Sequence, residues 1–563
     1  MPAFQIRLNP SQVFSVAPLK HPKAISHMDQ RDKDWWRHGI FYQIYPRSFR
    51  DSDGDGVGDL RGIIARLPYL KSLGVDAVWL SPIFPSPMAD FGYDISDYTG
   101  IDPLFGTMED FDALVSAAHE NGLKLVLDLV PNHTSDQHPW FAEARSARDN
   151  PKRDWYIWRD PAPDGGVPNN WLSEFGGSAW QYDEAAGQYY YHAFLAAQPD
   201  LNWRNPAVRQ AIYNVMRFWL AKGVDGFRVD VIWHLIKDAT FCDNPPNPHY
   251  VDGRPPHERI LTRYSTDQPE VQEVVAEMRR VTDEFDARVL IGEIYLPLHR
   301  LVAYYGNDLG GAHMPFNFAL LSTLWSARSI ERIIAEYEAA LPPGAWPNWV
   351  LGNHDRPRVA SRVGPDQARV AAMLLLTLRG TPTLYYGDEI GMHQVTIAPH
   401  EVRDPFEKNV PGIGVGRDGC RTPMQWDATA GAGFSSAKPW LPLADDYMRQ
   451  NVAALQADAR SILTLYRALI ALRKKSPQLV KGAYRPIAAE GDILLYRREG
   501  EGGALVIALN LGAKPVSIAS SSFGSGREIL LSTFLDRPGE VVEDTLDLRP
   551  NEGVILGGTA HDG

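Results

Sequence analysis

Four short segments of the chain end in residues suited to acid–base chemistry. They are GFRVD closing on Asp230, IGE closing on Glu293, LGNHD closing on His354 and Asp355, and DLVPNH closing on His133. Paired carboxyls suit substitution at an electrophilic carbon, one attacking or stabilising charge while the other protonates a leaving oxygen. Arg228 stands two residues before Asp230. If this segment is a strand, period-two alternation points both side chains the same way, and the guanidinium can keep the carboxylate ionised. Any one of these groups alone reads as an ordinary surface or supporting residue. Four strand ends supplying them together is a different matter.

A fifth segment, DSDGDGVGD, has the alternation of a cation loop. Asp51, Asp53 and Asp55 occupy positions 1, 3 and 5 of a helix-loop-helix calcium loop, Gly56 the turn, Val57 a carbonyl position and Asp59 position 9. Position 12 needs a bidentate Glu and holds Gly62, so the segment is not a calcium sensor. Its spacing still gathers four carboxylates about one hard cation.

These residues need a scaffold, and the chain supplies a repeating one. Apolar, β-branched runs occur at 40–46, 76–82, 124–133, 226–231, 288–294, 312–318, 348–355 and 381–389, with amphipathic segments such as LRGIIARLPYLKSLG between them. Strand and helix alternating eight times predict a parallel (β/α)8 TIM barrel, α/β in class, whose working residues sit where strands end. The barrel is expected in two parts, 31–133 and 203–479. Between them, residues 134–202 are rich in Trp, Tyr, Pro and Gly and are too long for a plain loop, so they read as a small inserted domain after strand 3. From about residue 480 to 563, ILLYRRE, ALVIALNL and EILLSTF alternate among turn residues, as in an antiparallel β-sandwich. Residues 1–30 read as a polar extension.

The 563 residues carry a net charge of −13, which disfavours nucleic acid as a partner and leaves a neutral small molecule as the natural substrate. No apolar run is long enough to span a membrane, and none near the start resembles a secretory signal. With only two cysteines, Cys242 and Cys420, a reducing compartment, the cytoplasm, is expected.

The motifs DLVPNH at 128–133, QPDLNW at 198–203, GFRVDV at 226–231, IGEIY at 291–295 and LGNHD at 351–355 carry a resemblance. The sequence resembles the α-amylase-type glycoside hydrolases, in their α-glucosidase and oligo-1,6-glucosidase branch. DFGYDISDY at 90–98 and RTPMQWD at 421–427 narrow it to enzymes of small glucosides. The resemblance runs from about Trp35 to the C-terminal sandwich. It implies Asp230 as nucleophile, Glu293 as acid/base and Asp355 as transition-state stabiliser. Asp90, Tyr93, His133, His354 and Arg421 are placed around the first glucose, with Phe175 in the pocket wall. It further implies that the aspartate loop holds one structural Ca2+ or Mg2+ away from the chemistry, with Asp53 where an Asn is frequent.

The implied activity is retaining, exo-acting hydrolysis of maltose-type or isomaltose-type oligosaccharides through a covalent glucosyl-enzyme, with transglucosylation available to the same residues. Val231, next to the nucleophile, accompanies α-1,6 cleavage in this branch, yet the following IWHLIKD departs from the oligo-1,6-glucosidase pattern. The expectation is therefore a broad or α-1,4-leaning α-glucosidase, ahead of an oligo-1,6-glucosidase and of a glucosyltransferase or trehalose-forming enzyme. A non-catalytic amylase-like binding protein stands last, because all three carboxylates are kept.

Overall fold

The structure is a computed structural model and describes residues 33–558; the extension expected at 1–30 lies outside them. Eight parallel strands form one sheet: β1 (Phe41–Ile44), β2 (Ala77–Leu80), β3 (Lys124–Leu129), β7 (Gly226–Val229), β8 (Val289–Gly292), β9 (Met314–Pro315), β10 (Asn348–Val350) and β11 (Thr381–Tyr385). They run in the order β10-β11-β1-β2-β3-β7-β8-β9, every ladder being parallel. The seam between β9 and β10 is bridged by a side chain. Asn348 accepts from the Asn317 N–H at 2.9 Å and donates to the Pro315 carbonyl at 2.5 Å, closing the sheet into a barrel.

Alternation along the strands sorts the core into two layers. Phe41, Trp79, Val126, Val289, Ile291, Met314 and Val350 share one buried cluster, inside the barrel. Tyr42, Val78, Leu125, Phe227 and Leu290 join the cluster that includes the surrounding helices. Strands buried on both faces explain why the sequence runs read as nearly continuous apolar stretches. The expected strand spans were longer than the observed ones because each run continues past its last ladder bond into the polar end that carries the chemistry.

Between β3 and β7 the chain forms the helix Pro139–Ser146 and a three-stranded antiparallel sheet of β4 (Trp158–Arg159), β5 (Trp180–Asp183) and β6 (Gln188–Tyr191), in the order β4-β6-β5. This unit has its own aromatic core of Trp171, Trp180 and Tyr191. After the helix Ile462–Lys475 come β12 (Ala483–Glu490), β13 (Ile493–Gly500), β14 (Gly503–Asn510), β15 (Val516–Ala519), β16 (Arg527–Ser532), β17 (Val541–Val542), β18 (Thr545–Leu548) and β19 (Gly553–Gly557). Six of them form one antiparallel sheet, and β15 with β18 a second; both contribute to one core through Leu495, Val506, Leu546 and Leu548. Among the described residues no helix is long and apolar enough to cross a membrane.

Candidate active site

Asp230 and Glu293 are placed by the sheet itself. Each stands one residue past its strand, and its N–H extends the parallel ladder by donating to the preceding strand, Asp230 to the Leu129 carbonyl at 2.8 Å and Glu293 to the Val229 carbonyl at 2.9 Å. The next residue, Val231, adopts a left-handed backbone (φ 37°) that a β-branched side chain rarely tolerates. In this conformation its N–H donates to Glu293 Oε2 at 2.9 Å. Backbone strain is thus spent on holding the second carboxyl against the first.

Arg228 organises the centre. It is fully buried, and it meets Asp128 Oδ1 at 2.7 Å, Asp230 Oδ1 at 2.8 Å and Glu293 Oε2 at 2.7 Å. Three carboxyls thus surround one guanidinium. Burial pushes Asp230 well above the usual carboxylate range; Arg228 opposes this, while Glu293 and Asp128 add to it. Burial likewise raises Asp128, against Arg228, to about 7. One cation cannot offset three buried anions, so the cluster keeps a proton near neutral pH. Asp230 and Glu293 are tied together through Arg228, which meets one at 2.8 Å and the other at 2.7 Å. Sequence reading had Arg228 but not Asp128, whose place inside β3 hides it among apolar neighbours.

Asp355 is the opposite case. Burial alone would raise it, but the guanidinium charges of Arg417, Arg421 and Arg228 outweigh burial and hold it well below the usual range, ionised. Arg421 is fully buried, 2.9 Å from Asp355 Oδ1, with its Nε donating to the His354 carbonyl at 2.8 Å. Arg417, which sequence reading missed, lies 2.7 Å from Asp90, 2.7 Å from Asp404 and 3.3 Å from Asp355. It comes from a long irregular segment after β11, where no periodicity marks a residue as inward-facing.

The remaining expected residues surround the same cavity of about 480 Å³, which Asp90, Tyr93, His133, Phe175, His354 and the three carboxylates all line. Phe175 packs on Phe194 and Phe406 at ring distances of 5.8 and 5.2 Å and receives the Arg417 guanidinium at 4.9 Å, so it is both wall and core. Tyr93 Oη lies 2.6 Å from His354 Nε2 and donates to Asp128 at 3.1 Å. Both histidines are neutral: burial lowers His133 to about 4 and His354 well below its ordinary value. Their ring nitrogens already meet protein groups, Tyr93 O, Gln198 and Asn132 for His133, and Gln43 and Tyr93 for His354. In this arrangement they orient neighbours as much as they face the cavity.

In the aspartate loop, carboxylate oxygens of Asp51, Asp53 and Asp59 lie within 4.8 Å of one another. Asp55 is outside this group: it is exposed, and its Oδ1 accepts the Val57 N–H at 2.7 Å. The four-carboxylate set expected from spacing is therefore three in geometry. Spacing fixes order along the loop, not which side chains turn inward. Asp51 accepts from the N–H groups of Asp53, Gly54 and Gly56, and Asp59 caps the helix Leu60–Leu73 through the Gly62 N–H. A side chain at Gly56 (φ 95°) would meet the Lys438 carbonyl at 2.3 Å, so the tight turn requires glycine. Desolvation and the charges of Asp55, Asp59 and Asp51 raise Asp53. A hard-oxygen set under mutual repulsion fits Ca2+ or Mg2+.

The profile described as "Alpha amylase, catalytic domain" matches residues 43–482. The chain is 44% identical over 491 residues to a probable alpha-glucosidase of Rhizobium meliloti (strain 1021), covering 84% of this chain and 89% of the relative. It is 40% identical over 567 residues to an oligo-1,6-glucosidase of Parageobacillus thermoglucosidasius, covering 93% and 99%. The crystal structure of an alpha-glucosyl transfer enzyme, XgtA, superposes with a TM-score of 0.88 at 43% identity, over 93% of this chain and 99% of that one.

Proposed function

Because the chain belongs to the alpha-amylase family, we propose that it is a retaining α-glucosidase releasing glucose from the non-reducing end of short α-glucosides. The one guanidinium that Asp230 and Glu293 share, Arg228 at 2.8 and 2.7 Å, carries the reading. Inverting enzymes hold their two carboxyls about 6.5–9.5 Å apart to admit a water, whereas retaining ones hold them at about 5–5.5 Å. Two carboxyls sharing one guanidinium belong to the second group.

In this reading Asp230 attacks the anomeric carbon while Glu293 gives the cluster's proton to the departing oxygen. A β-glucosyl ester forms on Asp230 as the glycosidic bond breaks. Glu293, now a carboxylate, takes a proton from water or from a sugar hydroxyl, whose oxygen attacks the ester and frees Asp230. Asp355, held ionised by its two arginines, stabilises the oxocarbenium-like charge between the steps. The buried Asp90–Arg417 pair in the wall supports a pocket that accepts a chain end rather than a chain middle. Maltose-type substrates are placed first and isomaltose-type second. Likeness to XgtA favours glucosyl transfer as the competing fate of the ester.

Asp51, Asp53 and Asp59 would hold one Ca2+ or Mg2+, which would supply charge neutralisation and no step of the reaction. Chelator should lower the melting temperature and leave kcat below that temperature nearly unchanged; Asp53→Ala, which removes the ligand oxygen, should mimic it. Loss of turnover in protein that stays folded would make the ion catalytic. The two thiols are free, Cys242 exposed and Cys420 buried, which supports a reducing compartment, the cytoplasm.

The decisive experiment is mass spectrometry of enzyme quenched with a slow fluoroglucoside, with the adduct expected on Asp230. NMR of the product should show α-glucose first; β-glucose first would overturn retention. Chromatography of products from maltose, isomaltose, sucrose and trehalose then ranks linkages and transfer.

A further inference from the structure

The strained turn that holds Glu293 also places a second group in the catalytic cavity. Val231, with its left-handed backbone, opens a single helical turn, Ile232–His234, and the His234 N–H donates to the Val231 carbonyl at 2.8 Å. This sets His234 in the cavity lining, although the residue is only 3% exposed. The turn lies on the side of the acid/base. Its Val231 N–H is bonded to Glu293, and the Trp233 ring meets that of Tyr295, two residues past Glu293, at 5.9 Å.

His234 differs from the histidines already described. His133 and His354 have their ring nitrogens engaged by protein groups, whereas neither nitrogen of His234 makes a hydrogen bond among the described residues. The ring packs on Phe194 at 5.4 Å and Trp233 at 4.8 Å, and Nδ1 is enclosed without a partner. Burial lowers the imidazole well below its ordinary pKa, so at neutral pH it carries a single ring N–H. An enclosed N–H without an acceptor is costly, so that proton belongs on Nε2, the nitrogen left open to the cavity. A neutral donor among aromatic rings suits a hydroxyl oxygen. It offers an anion no charge and a cation no acceptor.

We propose that His234 contacts the substrate directly, donating through Nε2 to a hydroxyl of the sugar on the leaving side of the scissile bond. The inference rests on the α-glucosidase reading and adds to it a residue that tells sugar leaving groups from aryl or alkyl ones. Glu293 protonates the departing oxygen, so the leaving sugar stands beside it, and the turn ties His234 to that carboxyl. In transfer the same contact receives the acceptor sugar, because an acceptor enters where the leaving group departed.

Steady-state kinetics on a disaccharide, methyl α-glucoside and an aryl α-glucoside test this. All share the first glucose, and only the disaccharide carries leaving-side sugar hydroxyls. The disaccharide is maltose or isomaltose, whichever the parent cleaves faster. His234→Phe keeps a flat ring without the donor, and kcat/KM should fall about tenfold on the disaccharide but at most about threefold on the simple glucosides. His234→Gln sets an amide nitrogen at the level of Nε2 and should return the disaccharide to within about threefold of the parent. His234→Asn reaches only the level of Nδ1 and should not. This pair decides the matter if His234→Phe does not fold; equal values for the two overturn the contact. Equal loss on all substrates would place His234 on the first glucose. Equal loss on the disaccharide and methyl α-glucoside, with the aryl glucoside spared, would mean that it only positions Glu293, since both of those leaving groups need protonation. Either result overturns the proposal. A parent inactive on every one of these substrates would instead overturn the α-glucosidase reading itself.

Discussion

Two regions bury arginine completely and use it in opposite ways. At the catalytic mouth, Arg228 sits among Asp128, Asp230 and Glu293, an excess of negative charge. Where the barrel meets the C-terminal sheets, Arg473 and Arg498 meet only backbone carbonyls. Arg473 donates to Leu376, Leu378 and Gly380, and Arg498 to Thr377 and Gly482, so together they cap the C-terminus of the helix Pro365–Thr377. Burial lowers both, to about 10 and about 9, yet they remain charged at neutral pH, and the helix dipole favours that charge. One region is left electrostatically unresolved so that a proton can move; in the other the terminal guanidinium nitrogens are met by backbone carbonyls, and the pair joins two domains. Buried charge alone therefore does not mark a functional site. Charge that its neighbours fail to balance does.

The largest expected effect breaks the unresolved region at its proton. Glu293→Gln removes general acid catalysis and should cost about 10²–10⁴-fold on maltose. An aryl glucoside with a good leaving group needs less protonation, so its bond-breaking step should suffer much less. Equal losses on both substrates, measured by steady-state kinetics, would remove Glu293 from the acid role.

Substituting each arginine with the same residue sharpens the comparison. Arg228→Met leaves three carboxyls without their cation and should destabilise by about 3–5 kcal/mol at pH 7. Those carboxyls become neutral in acid, so the penalty should shrink as pH falls, and activity should vanish at every pH. Arg473→Met leaves helix-end carbonyls unmet and should cost about 1–3 kcal/mol. Carbonyls do not titrate, so that loss should be nearly independent of pH, with kcat unchanged below melting. Thermal melts at pH 5 and pH 8 separate the two. Parallel pH profiles would mean that the regions do not differ as argued.

The same contrast explains what was legible beforehand. The barrel strands follow from short continuous apolar runs, and the carboxylates at 230, 293 and 355 from where each run turns polar. Arg228 was legible because it shares a strand with Asp230. Arg417 was not: it reaches Asp90 and Asp355 from an irregular segment, by tertiary placement alone. Asp128 was hidden for the converse reason, lying within an apolar strand whose inward face at that point is the floor of the site. Asp55 was over-read, because alternation in a loop does not bind side chains to one face as it does in a strand. The joining arginines 473 and 498 had no sequence signature at all, since their partners are backbone carbonyls.

A smaller effect tests whether burial without catalytic purpose leaves the same trace. Asp388, just past β11, is fully buried. Its Oδ2 accepts the Tyr385 N–H at 3.1 Å and its Oδ1 meets no partner. Burial raises it to about 7, although Arg358 opposes the rise. In the unfolded chain an aspartate titrates near 3.9. Between these values the folded state holds a proton that the unfolded state has released, so the stability this group contributes is complete below about pH 4 and is lost as pH rises toward 7. Asp388→Asn cannot ionise and escapes that loss. The melting temperature of the variant relative to the parent should therefore climb between pH 5 and about pH 7, by a few degrees at most, and level off above it. Activity should follow the parent's pH profile, because Asp388 does not line the catalytic cavity. A difference in melting temperature that stays flat or falls over that range would mean that Arg358 keeps Asp388 ionised, and that the charge at this end of β11 is balanced after all.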